Sequence, residues 1–109
     1  MGTILGRRYE RVGFPAAVTV HNLDSGECFT GESIDLSRGG IGLFTERFIP
    51  QGASLRIVVQ LPGGRGQAEV HGTVVRARTE TGGAVMGISF HTPLTPQLSP
   101  ELCRVLDRK

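Results

Sequence analysis

The sequence predicts a mainly β domain, an antiparallel barrel of five or six strands followed by a short C-terminal helix. Three observations carry this expectation. Short stretches alternate apolar with small or polar residues, as a half-buried strand does. Turns rich in Gly separate them at intervals of roughly 10 to 15 residues, which favours antiparallel pairing. The last stretch then changes period from two to that of a helix. A small antiparallel sheet loses its exposed edges by closing on itself, so a barrel is the expected form.

The elements follow in order. Phe14 to His21, "FPAAVTVH", reads as a strand opening at a proline, and "NLDSGE" after it is turn chemistry. A second strand runs from about Cys28 to Asp35 and a third from Ile41 to Thr45, with Ile41, Leu43 and Thr45 on one face and Gly42 and Phe44 on the other. "PQGAS", residues 50–54, breaks the chain before the β-branched strand "LRIVVQL". "PGGRG", residues 62–66, is a hairpin tip. It resembles a phosphate loop in composition alone, because neither Lys-Ser nor Lys-Thr follows and no helix opens there.

The longest strand pattern, "QAEVHGTVVRARTE", puts Val70, Gly72, Val74 and Arg76 on one face and His71, Thr73 and Val75 on the other. "TGG" turns it into the last strand, "AVMGISF". In the tail, Ser99 is a good N-cap with Pro100 at the first helical position, and Leu102, Val105 and Leu106 follow at helical spacing. The 109 residues thus divide into an Arg-rich lead over 1–13, a barrel over 14–92 and a helix within 96–109, all one domain.

Composition narrows the function classes. Apolar residues make up 39% and charged residues 20%, ordinary for a globular protein. No apolar run approaches the roughly 20 residues of a membrane span, and "MGTILGRRYER" lacks a secretory apolar region. A cytoplasmic location without membrane insertion is therefore the expectation. Cys28 and Cys103 lack metal spacing and read as reduced, small apolar residues. The histidines His21, His71 and His91 lie in separate strand patterns without a metal pair. Ser37 has no Gly-x-Ser-x-Gly context and the acids are scattered singly, so neither a catalytic nor a metal site is expected.

Two segments remain. All the basic residues except Lys109 are Arg, the side chain whose planar fork suits phosphate and purine edges. Three of them, Arg7, Arg8 and Arg11, crowd the lead in "RRYER". The second segment is "DLSRGG", in which Asp35, Ser37 and Gly40 are spaced as D-x-S-x-x-G. Separately each has an ordinary reading, as a solvated tail and as a turn held by its own side chains.

Together, R-x-x-x-R before the first strand and D-x-S-x-x-G two strands later resemble the PilZ domain family of bacterial cyclic di-GMP receptors. The resemblance runs from Gly6 through "MGISF" into the terminal helix, and "VVRARTETGGAVMGISF" is similar to that family's closing hairpin. It implies a six-stranded antiparallel barrel with a C-terminal helix and a non-catalytic receptor whose ligand is cyclic di-GMP. By the same resemblance, Arg7 and Arg11 take phosphate and guanine, with Arg8 as a further contact. Asp35 and Ser37 meet the polar edge of a guanine. Gly39 and Gly40 give the backbone positive φ or a close approach to ligand.

The glycine and charges of the Arg-bearing lead give it little to bury, so it is expected to be mobile until ligand arrives and then to fold over the barrel. The output would act in trans on a protein effector, in motility, exopolysaccharide production or pilus function. In the family, an arginine just before the first motif arginine favours a stacked ligand pair. Gly6 stands there, so stoichiometry is open, as is the choice between monomer and ligand-dependent dimer. Two other readings stay open: a PilZ-like interaction module that binds no nucleotide, and a small barrel binding single-stranded nucleic acid. The latter is disfavoured by one Tyr and no Trp, which leave few stacking platforms.

Overall fold

A computed structural model describes residues 10–107. Arg7, Arg8 and the start of the lead therefore lie outside the described residues. Six strands, β1 (Val12–Asn22), β2 (Cys28–Leu36), β3 (Gly40–Thr45), β4 (Ser54–Gln60), β5 (Gln67–Glu80) and β6 (Gly83–Phe90), precede a helix, α1 (Pro100–Asp107). Every pairing is antiparallel, and the strands close in the order β1-β2-β3-β6-β5-β4. The expected barrel and terminal helix are both present.

The interior is filled from all six strands, with Val18, Val20, Leu36, Ile41, Leu43, Leu55, Ile57, Val59, Val74 and Ile88 almost wholly removed from water. Leu102 and Cys103 of α1 complete this core, with Val105 and Leu106 packed against it. The helix starts at Pro100, and the Ser99 carbonyl accepts from the Cys103 N–H, as expected of the residue before the first helical position. Arg38, between β2 and β3, donates from Nη2 to Asp107 at 2.9 Å and from Nη1 to the Cys103 sulfur at 3.3 Å. The β2–β3 connection is thereby tied to the helix.

Several expectations change in detail. β1 starts at Val12, two residues before Phe14, so Pro15 falls within the strand. It is accommodated where the register shifts between Gly13 and Ala16, since a proline cannot donate to a regular ladder. The buried Ser33 hydroxyl donates to the Phe14 carbonyl across this irregularity. Both cysteines are free thiols; Cys28 is exposed at the start of β2 and Cys103 is buried. Arg76, placed by strict alternation on the inner face of β5, is exposed instead. A bulge makes Val75 an extra residue between Val74, opposite Ile88, and Arg76, opposite Gly87.

Candidate functional site

A second bulge, in β2, makes the site. Ser33 pairs with Leu43 and Asp35 with the adjacent Gly42, so Ile34 is the extra residue and Asp35 turns outward between buried Ser33 and buried Leu36. The two bulges act at one row of the sheet. Asp35, Gly42, Gly87 and Arg76 lie directly opposite one another across β2, β3, β6 and β5. The row on one side, Leu36, Ile41, Ile88 and Val74, faces the core. An acid and an arginine therefore stand at opposite ends of a floor made of two glycines.

Both glycines are bare for a steric reason. A Cβ on Gly42 would lie 2.7 Å from Asp35 Oδ1, and one on Gly87 would lie 3.2 Å from Arg76 Nη2. Each charged head thus leans over its neighbouring glycine. The surrounding groove encloses about 440 Å³ and is lined by Arg11, Asp35, Gly42, Arg76, Gly87 and Gln51, among others. That volume lies within the range of small-molecule sites.

Arg11 closes the end of the row beyond Asp35. Its Nη1 donates to Asp35 Oδ1 at 2.8 Å, and the two side chains are 23% and 33% exposed. Val12, immediately after it, pairs with Leu36, and Gly13 pairs with Asp35, so the sheet itself brings the end of the first segment to the start of the second. An ion pair this open to water contributes about 0–1 kcal/mol. Both partners are accordingly easy for a ligand to recruit.

Ser37 and Gly40 sit differently. Ser37 is 5% exposed, and its hydroxyl oxygen accepts from the N–H groups of Gly39 at 3.2 Å and Gly40 at 3.1 Å. The hydroxyl thus holds the turn that leads Asp35 back into β3. Contrary to expectation, neither Gly39 nor Gly40 adopts a left-handed angle; Gly40 has no room for a side chain because a Cβ would run into the Ile88 carbonyl of β6. The Gly39 carbonyl accepts from the Phe90 N–H, fastening the same turn to the end of β6. The structure therefore brings Arg11, Asp35, Ser37, Gly39 and Gly40 to one end of the barrel. Ser37 and Gly40 lie in the frame, and Arg11 and Asp35 in the groove.

The sequence reading missed Arg76 and Gly87, and a signal for them was present. An arginine in the inward phase of "EVHGTVVRAR" is costly to bury, and that conflict marks a register break. Among the described residues no group of three or more His, Cys, Asp or Glu is placed to hold a metal, and no helix is long and apolar enough to cross a membrane.

The chain matches the family model described as PilZ domain over residues 6–107. None of the curated proteins matches its sequence significantly. Solved structures share the fold. The PilZ domain of YcgR from Escherichia coli with c-di-GMP superposes with a TM-score of 0.73 at 19% identity, covering 95% of this chain and 91% of that one. The Bacillus subtilis inhibitor of motility MotI gives 0.71 at 21% identity over 96% of this chain, which spans only 52% of MotI. The PilZ domain of CeSA from a cellulose-synthesizing bacterium gives 0.63 at 22% identity, covering 91% and 96%.

Proposed function

Because the chain belongs to the PilZ domain family, we propose that it is a receptor for cyclic di-GMP that acts without catalysis, changing conformation on binding and signalling to a partner protein in the cytoplasm. The observation that carries this is the meeting of Arg11 and Asp35, 24 residues apart in sequence, at the rim of an open groove floored by glycine. Cyclic di-GMP presents two anionic phosphates and two guanines. A guanine offers N–H donors on its Watson–Crick edge, which a carboxylate accepts, and O6 and N7 on its other edge, which an arginine fork matches. In this reading Arg7, Arg8 and Arg11 take phosphate and guanine, and Asp35 takes a Watson–Crick edge. Ser37, Gly39 and Gly40 hold Asp35 at the angle that contact needs.

The signalling step follows from the same geometry. A ligand that recruits Arg11 and Asp35 exchanges a weak ion pair for charge-assisted bonds, and that difference is the free energy available to order the lead over the barrel. A partner would then read the ordered surface.

Calorimetric titration of the full chain with cyclic di-GMP, beside GTP and a short oligonucleotide, tests the proposal. Saturable binding of the cyclic dinucleotide alone is expected. No binding at tens of micromolar would leave a nucleotide-independent interaction module, and a preference for the oligonucleotide would make the barrel a single-strand binder.

A further inference from the structure

The position of Arg76 over Gly87 is specific enough to assign it a task. A Cβ on Gly87 would lie 3.2 Å from Nη2, 3.3 Å from Nε and 3.7 Å from Cζ of Arg76. Near-equal distances to the two nitrogens, with the carbon farther behind, place that point in the plane of the guanidinium and on the axis between its N–H groups. The Nε/Nη2 fork therefore turns toward the bare face of Gly87. The Cβ point itself is one bond from Gly87 Cα, so the seat for an acceptor is the groove space above that face, and the guanidinium tilts up from the floor to reach it. Arg11, Arg38, Arg47, Arg56 and Arg78 each reach a carboxylate. Arg76, lining the groove, has no ion-pair or hydrogen-bond partner among the described residues.

The geometry points to Arg76 as a specificity-determining residue that reads the O6/N7 edge of one guanine of the ligand, a role that rests on the cyclic di-GMP reading above. Gly42 and Gly87 are directly paired, so positions above them are about 5 Å apart. The Asp35 carboxylate hangs over the first and the Arg76 fork opens over the second. A guanine laid on this floor gives its N1–H and N2–H donors to Asp35 and its O6 and N7 acceptors to Arg76. Adenine fails at both ends: it has an amino donor where O6 stands and no N1–H. A phosphate suits this seat less well, because it would lie beside the Asp35 carboxylate.

The test uses the full chain and three ligands: cyclic di-GMP, cyclic di-AMP and cyclic di-GMP with N7 of each guanine replaced by CH. Wild-type binding of cyclic di-GMP establishes the underlying reading separately, and its absence refutes that reading as well as this one. Given that binding, Arg76→Ala is expected to weaken it about tenfold or more and to reduce the preference over cyclic di-AMP. Arg76→Lys restores little, because an ammonium has no planar fork. Gly87→Ala fills the seat with a methyl group and gives a similar loss at unchanged melting temperature. The N7-replaced ligand binds wild type more weakly than cyclic di-GMP but does not distinguish the two in Arg76→Ala. Arg47→Ala, whose arginine pairs with Glu27 outside the groove, leaves affinity and preference as in wild type. Wild-type affinity in Arg76→Ala and Gly87→Ala overturns the assignment. So does a loss that Lys fully rescues or that is equal for all three ligands, since either indicates a general positive charge.

Discussion

Gly42 can carry no side chain without displacing Asp35, because a Cβ would come within 2.7 Å of Oδ1. The atom in the way is the end of a partly exposed side chain rather than backbone, so the barrel has a cheap response: Asp35 swings aside and leaves Arg11. Gly42→Ala is therefore expected to keep the fold, with an unchanged circular dichroism spectrum and a melting temperature within a few degrees of wild type. It should nevertheless lose about tenfold or more in cyclic di-GMP affinity by calorimetry, the scale of one misplaced charge-assisted contact. Unchanged affinity would mean that the position of Asp35 does not matter. Gly40 offers no such separation, since its missing Cβ makes room for the backbone carbonyl of Ile88.

The elements show how much was legible and where legibility stopped. All six strands and the helix can be read from period and turn chemistry, because each strand buries one face in a single core and the alternation survives in the sequence. Arg11, Asp35, Ser37 and Gly40 can be picked out as motif positions, with Gly39 beside them, but which of them line a groove and which hold a turn depends on bulges. A bulge shifts the phase by one residue; Ile34 carries no local sign of being the extra one, and at Val75 the sign is indirect, the costly inward phase that strict alternation gives the following Arg76. Strict period-two reading therefore sent Arg76 to the wrong face and concealed the pairing of Gly42 with Gly87.

Pairing also sets the electrostatics of β4 and β5. Glu69 accepts from Arg56 Nε at 2.9 Å and lies 2.8 Å from His71 Nε2, and the hydrogen bond from Arg56, followed by that from His71, lowers its pKa from 4.5 to about 2. A carboxyl depressed on folding contributes stability that is present above its unfolded value and is lost as pH falls through the folded one. The window here runs from about pH 4.5 down to about 2, and exposure to solvent keeps the contribution small. An NMR titration should find the Glu69 midpoint near the bottom of that window in wild type and moved upward in Arg56→Ala. An unmoved midpoint would show that Arg56 is not the cause.

At the scale of the whole molecule, the barrel presents a rigid frame at one end, where the β2–β3 turn, the end of β6 and α1 are joined. Ser37 holds the turn, the Gly39 carbonyl accepts from Phe90 and the Arg38 guanidinium reaches Asp107 and Cys103. Arg11 and Asp35 lie against this frame but are bound to each other only by a partly exposed ion pair. Rigid support with an easily exchanged contact suits a receptor that must respond to ligand without unfolding. Whether Asp35 and Arg11 hold cyclic di-GMP is decided by the binding free energy of Asp35→Ala, titrated calorimetrically beside wild type and beside Arg47→Ala, whose arginine pairs with exposed Glu27. A loss of about 1.5 kcal/mol or more is expected for Asp35→Ala, a similar loss for Arg11→Ala, and none for Arg47→Ala. Wild-type affinity in Asp35→Ala, or equal losses in Asp35→Ala and Arg47→Ala, would contradict this role.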